Sequence, residues 1–187
     1  MTEQRTSVTA RMEVEGADGV AIRQLISEDA PHYFNLVDYD REHLSQEHNG
    51  ERDETADKYQ RVEDVLESID HPQRLNRLRF GIWDGDIMVG SNSLDLLGDG
   101  RGKSGSWIGK QYVGHQYAAR GRKLLLELAF ERLGLSEVIS EILPDNTYSL
   151  RSVESSGYHY VGDEDGRCVY VITREDFLKQ QSGSSKI

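Results

Sequence analysis

The stretch from Trp107 to Ala129, WIGKQYVGHQYAARGRKLLLELA, constrains the chain more than any other. A short strand (SWIG) runs into a Gly-bearing loop (KQYVGHQ) and then into a segment where Leu124, Leu125, Leu128, Ala129 and Leu133 recur at helical spacing. That periodicity predicts a helix with one buried face. The first backbone N–H groups of such a helix have no partner inside it, so the joint can take up a phosphate oxygen. The same joint also occurs in α/β proteins with no such site. Arg120, Arg122 and Lys123 follow at once. They either add positive charge to the loop or, for Arg122 and Lys123 especially, form the solvated face of the helix.

The rest of the chain supplies the frame. Residues 1–19 lack a clean period and are expected to form a flexible extension. Val20 to Leu25 alternates and predicts a strand. Ser27-Glu28-Asp29 with Pro31 marks a helix start, and Tyr33, Phe34, Leu36 and Val37 form its apolar stripe. His48 to Asp57 is polar and predicts a mobile loop, with Thr55 or Asp57 placed to cap a second helix reaching Ile69. His71-Pro72 ends that helix. Leu78–Trp83 and Ile87–Leu97 predict a hairpin through Asp84-Gly85-Asp86, and GDGRGKSG predicts a further turn before Trp107. Beyond the central helix, Gly134 is placed as its C-cap. Glu137–Leu143 is apolar on both faces, as in a central strand. Pro144-Asp145-Asn146 starts a short helix ended by Gly157. Tyr158–Val161 and Cys168–Thr173 form a closing hairpin, and residues 179–187 predict a disordered tail.

Several of these runs resemble the GNAT superfamily of N-acetyltransferases, and most of all its ribosomal-protein N-terminal alanine acetyltransferase branch. WIGKQYVGHQYAA is similar to that branch's W-I-G-P-E-Y-Q-G-K-G-Y-A-T-E-A. The family's Q/R-x-x-G-x-G/A signature aligns with Val113-Gly114-His115-Gln116-Tyr117-Ala118, where Gly114 and Ala118 fit and Val113 and Gln116 depart. IRQLISEDAPHYFNLVDYDREHLSQ resembles the branch's opening, which makes Asp38, Tyr39 and His43 acceptor-site candidates. The hairpin resembles F-x-I-W-D-G-x-x-V-G. PDNTYSLRSVESSGYHYVG resembles D-P-x-N-x-x-S-x-x-x-x-x-K-x-G-F, keeping Asn146, Ser149, Gly157 and Tyr158, with Ser155 at the Lys. The resemblance spans nearly all of residues 20–175. It implies an α/β, α+β-type mixed sheet flanked by helices on both faces, with one acetyltransferase domain over residues 20–178.

Composition narrows the function. The chain has 187 residues, 36% hydrophobic and 29% charged, and suits a single domain. Its net charge of −11 argues against a nucleic-acid partner and favours a cationic acceptor. No run approaches the roughly 20 apolar residues of a membrane span, and the N-terminus lacks a hydrophobic signal core. A single cysteine, Cys168, fits a reducing compartment, so a cytoplasmic protein is expected. No histidine has metal-ligand company, so no metal is expected.

The resemblance implies direct attack of a primary amine on the thioester of acetyl-CoA. It assigns cofactor contacts to Val113, Gly114, His115, Gln116, Tyr117, Ala118 and Asn146, and makes Ser149 the catalytic candidate, protonating or hydrogen-bonding the thiolate. Lys103 stands where relatives carry a Glu, leaving Asp95 or a water relay as the base. Cys168 is expected in the core and not as a nucleophile. The acceptor is a peptide N-terminus, a polyamine or an aminoglycoside-like amine, and assembly as a homodimer stays open. Val113, Gln116 and Lys103 favour an alternative, a non-catalytic GNAT-fold binding or regulatory module. Asn146, Ser149 and Gly157 favour the enzyme, which is the expectation.

Overall fold

The computed structural model describes residues 11–44, 47–48, 51–52, 58–70 and 76–184. Strands β1 (Glu13–Glu15) and β2 (Val20–Gln24) form a hairpin and lead into helix α1 (Ala30–Tyr39). Asp29 sets that helix start, its Oδ2 accepting from the Ile26 N–H at 3.0 Å and from Arg11 Nη2 at 2.7 Å. Helix α2 (Arg41–Leu44), two-residue strands β3 (Glu47–His48) and β4 (Glu51–Arg52), and helix α3 (Val62–Asp70) follow. A meander of β5 (Arg77–Asp84), β6 (Ile87–Gly98) and β7 (Arg101–Ile108) runs up to helix α4 (Tyr117–Glu127), which ends in a π-turn over Leu128–Arg132. Then come β8 (Glu137–Ile142), α5 (Thr147–Ser155), β9 (His159–Glu164), β10 (Arg167–Thr173) and α6 (Arg174–Ser184).

The main sheet has the order β1-β2-β5-β6-β7-β8-β10-β9. Neighbours pair antiparallel throughout, except β7 and β8, which are parallel and in register only at Arg101↔Glu137, Gly102↔Val138 and Lys103↔Ile139. One face, with Ile22, Phe80, Ile82, Leu94, Val138 and Ile172, packs on Leu124, Leu125, Leu128 and Phe130 of the central helix. The other face carries Trp83 and Met88 against Tyr33, Leu36 and Val37 of α1 and Val65 of α3. The period-2 strands and the 3.6-period helix therefore place their apolar sides as expected, and the mixed sheet has helices on both faces.

Four details differ from the sequence reading. Part of the expected extension is a strand, since Glu13–Glu15 pairs with Ala21–Arg23. The tail is ordered as far as Ser184, because α6 runs through residues 179–184. The second helix starts at Val62, where Asp64 Oδ2 accepts from the N–H groups of Gln60 and Arg61 at 2.9 and 2.8 Å. Thr55 and Asp57, expected to cap it, lie outside the described residues, as does most of the expected loop. Finally, GDGRGKSG is a turn only at Asp99-Gly100, and the rest is strand.

That last difference has a packing cause. A Cβ on Gly102 would lie 2.9 Å from both Leu135 Cδ1 and Leu94 Cδ1, so the glycine is there to admit the core and not to break the strand. Gly102→Val should overpack this point and cost about 1–3 kcal/mol. The expected readout is a fall in melting temperature of roughly 2–10 °C for a chain of this size. An unchanged melting temperature would show that the core gives way freely there.

Candidate active site

Two features of the chain meet at the C-terminal end of β7. The first is the fork. Beyond Lys103↔Ile139 the two parallel strands no longer pair, and a slot opens between Ser104–Ile108 and Ser140–Ile142. At its closed end Ser104 Oγ donates to the Ile139 carbonyl at 3.2 Å and lies 3.1 Å from the Tyr158 hydroxyl. Burial raises the Tyr158 hydroxyl pKa, against the opposing effects of Arg122 and the Ser104 bond.

The second feature is the loop from Gly109 to Gln116. The Lys110 N–H donates to Asp40 Oδ2 and the Tyr112 N–H to the Gly109 carbonyl, so the loop's first turn is anchored. Asp40, only 2% exposed at the end of α1, was not singled out by sequence reasoning. The signal was an acidic residue just past an apolar stripe, which reads equally well as helix surface. Gly114 has φ +90° and Gln116 has φ +63°, ψ +11°, both left-handed. From Gly114 through Ala119 no backbone N–H has an acceptor among the described residues. Left-handed turns that point successive N–H groups the same way make an anion-binding concavity, and the helix dipole adds to it.

The expected cofactor residues divide accordingly. Val113, Gly114, His115 and Gln116 are exposed on the loop, while Tyr117 and Ala118 begin α4. The His115 ring stacks on Tyr117 at 5.9 Å, and the Tyr117 hydroxyl donates to Asp84. Asn146 is the N-cap of α5, its Oδ1 accepting from the Ser149 N–H at 3.1 Å. The Ser149 hydroxyl is half-buried and makes no hydrogen bond among the described residues.

The basic residues behave differently from expectation. Arg120 is not free to serve the loop, since its Nε is 2.6 Å from Asp18 Oδ2, a contact that also lowers the Asp18 carboxyl pKa. Arg122, expected on the solvated face, is 5% exposed and turned toward α5, where Nη1 donates to Ser152 Oγ at 2.6 Å. Burial pushes its pKa down from the usual guanidinium value. Only Lys123 is exposed as predicted.

On the opposite face, Lys103 Nζ sits 2.5 Å from Glu141 Oε2, and Asp95 takes two donors from Arg77. The candidate base Asp95 is thus ion-paired, as is Glu141 beside it. Of the acceptor candidates, Asp38 pairs with Arg41 at 3.0 Å, Tyr39 is 69% exposed, and the side chain of His43 lies outside the described residues. Cys168 packs partly buried against the main core, where burial first and Asp163 second raise its thiol pKa. Among the described residues no helix is long and apolar enough to cross a membrane.

The sheet splits at the parallel pair β7–β8, and the split leads to the loop that opens α4. Residues 20–159 match the family model for the acetyltransferase (GNAT) domain, and the chain belongs to that family. The RimJ structure of Mycobacterium smegmatis, in complex with CoA-disulfide, superposes with a TM-score of 0.73 at 16% identity, covering 93% of this chain and 94% of that one. RimL, a ribosomal L7/L12 alpha-N-protein acetyltransferase in complex with coenzyme A, superposes with a TM-score of 0.75 at 13% identity, covering 87% and 98%. The FsC-acetyl coenzyme A-N(2)-transacetylase of Aspergillus fumigatus is 32% identical over a segment covering 45% of this chain and 41% of that protein. The matched segment thus spans about two fifths of that relative's length.

The left-handed backbone at Gln116 carries a testable cost. An L side chain there costs about 1–2 kcal/mol, and a glycine's extra freedom in the unfolded chain offsets about 0.5–1 of that. Gln116→Gly should therefore leave stability equal or raise it by up to about 1 kcal/mol, as read by urea denaturation. A loss in that variant would mean that the Gln side chain supports the loop.

Proposed function

We propose that the chain is an N-acetyltransferase that moves the acetyl group of acetyl-CoA to a primary amine by direct attack. The observation that carries this reading is the run of six N–H groups, Gly114 through Ala119, without acceptors among the described residues at the mouth of the β7–β8 slot. An elongated donor with a pyrophosphate fits such a cradle, with its arm running along the free edge of β7. Gly114 suits a close approach, because a Cβ there would meet nothing within 4 Å and its φ of +90° needs no side chain.

The acceptor side follows from charge. A chain of net charge −11 steers cations toward it, so a peptide N-terminus, a polyamine or an aminoglycoside-like amine suits the open face beside Lys103 and Glu141. The attacking amine must be neutral, and the strand carboxylates nearest the fork, Glu141 and Asp95, are both ion-paired. Proton loss to water is therefore the base assignment that this arrangement supports.

Calorimetric titration with acetyl-CoA tests the reading, with binding at micromolar concentrations expected. Absence of heat and of a thermal shift at millimolar ligand would leave the non-catalytic module. Ser149 offers a finer test. Its hydroxyl is half-buried beside the N-cap and has no partner among the described residues, which supports a role in hydrogen-bonding the departing sulfur. A contact that matters more in the transition state lowers kcat without altering donor affinity. Ser149→Ala should lower kcat about 10–100-fold, below the usual range for general acid catalysis because water substitutes for a weak donor. The dissociation constant for acetyl-CoA should stay within about twofold. An unchanged kcat would make Ser149 a bystander.

A further inference from the structure

Arg122 is the most anomalous charged residue in the fold. It sits in α4 at 5% exposure, and its one hydrogen bond among the described residues goes to Ser152 Oγ at 2.6 Å. A guanidinium has five N–H donors, and no carboxylate reaches it among the described residues. Buried charges are ordinarily paired, because removing one from water costs several kcal/mol. Tyr158 and Tyr148 are the ionisable groups close enough to interact with it, and both are phenols. Among the described residues, the fold therefore encloses a cation without a carboxylate counter-charge.

Its position identifies the anion. The Gly121 carbonyl, next in sequence, accepts from Asn92 Nδ2 at 2.9 Å, and Asn92 is in register with Ser106 of β7. Arg122 is therefore level with the inner part of the slot. It lies five residues from the Tyr117 helix start, about 7.5 Å along the axis at 1.5 Å per residue. The loop proposed to hold the pyrophosphate is at that start, whereas the Arg122 guanidinium is turned toward Ser152 of α5. Tyr158 connects the two regions: it is close to Arg122, and its hydroxyl is 3.1 Å from Ser104 Oγ where the strands part. Ser106 Oγ, buried and without a partner among the described residues, lies on the same edge.

We propose that Arg122 is a built-in counter-charge for the coenzyme A thiolate formed at the closed end of the slot. This rests on the reading of the chain as an acetyl-CoA-dependent transferase. In the transfer, the amine nitrogen forms a bond to the thioester carbon and the C–S bond breaks. The electron pair stays on sulfur, and the surplus ammonium proton passes to that sulfur or to solvent. Negative charge thus grows in a buried region where a fixed cation is worth more than in water. Arg122 gives up no proton, since a guanidinium stays charged. It is a positioning residue, acting on the sulfur through the Tyr158–Ser104 layer.

The test sets Arg122→Leu and Arg122→Lys beside the wild type, with three measurements on each. The melting temperature of the unliganded Leu variant should stay equal or rise by about 2–4 °C, because an unpaired buried charge is removed. Its acetyl-CoA dissociation constant should stay within about threefold. Its kcat should fall about 10²–10³-fold, the scale of losing one preorganised electrostatic group, with the Lys variant regaining about tenfold. A Leu variant that unfolds, or melts lower with kcat intact, would make Arg122 a packing strut and overturn the proposal. Weaker acetyl-CoA binding at constant kcat would also overturn it, assigning the cation to a phosphate. A wild type that binds no acetyl-CoA would remove the reading beneath the proposal. A wild type that binds and turns over beside an unimpaired Leu variant would sink the thiolate assignment alone.

Discussion

The brevity of the β7–β8 pairing governs the rest of the structure. Parallel strands normally pair along their length, yet here the ladder stops after Lys103↔Ile139. Buried backbone groups that leave a ladder need other partners. At the closed end a side chain takes over, with Ser104 Oγ donating to the Ile139 carbonyl, and Tyr158 lies against that serine. Farther out no strand returns among the described residues, and the free edge of β7 leads to the N–H groups of Gly114 through Ala119, which have no acceptor among those residues. Slot and cradle are thus one continuous surface of unused backbone polarity. A sheet paired in full would have no slot.

The two faces of this sheet share the work unequally. The α4 side holds the larger apolar cluster, and burial there is what makes the split affordable. On the other side, α1 and α3 cover the region around Trp83 and Trp107, while the area beside it carries the Arg77–Asp95 and Lys103–Glu141 pairs. Half-exposed pairs of this kind contribute at most about 1 kcal/mol each, so they are not what holds the sheet together. Their effect is to keep a flat strand surface polar and specific about the charge of what approaches it.

The element order was legible because hydrophobic period and turn chemistry agreed over most of the chain. Asp84-Gly85-Asp86, Gly134 and Gly157 all mark the boundaries they suggested, with Gly85, Gly134 and Gly157 at positive φ. What failed has local physical causes. Glycines in β7 looked like a turn because sequence does not distinguish a glycine needed for φ from one needed for space, as at Gly102. Strand β1 was missed because three residues are too few to show a period. Arg122 was misplaced because a charged side chain at helical spacing is solvated in nearly every other helix. The cradle was legible as a joint, while its geometry depended on a left-handed Gln that propensity argues against.

Those departures are not scattered. Among the described residues, two of the three non-glycine residues with positive φ, Asp99 and Asp165, each sit before a glycine in a hairpin turn, where such backbone is ordinary. The third, Gln116, sits at the mouth of the slot. Arg122, buried and without a carboxylate partner among the described residues, follows Gly121 at the level of Ser106 on the slot's β7 edge, and the Ser106 hydroxyl has no partner among those residues either. These departures fall along one line, from loop to fork. Strain and unpaired charge persist only where the surrounding structure over-determines them, and they gather where a molecule uses them. By that rule the left-handed backbone at Gln116 and the burial of Arg122 argue for the proposed site over a decayed one.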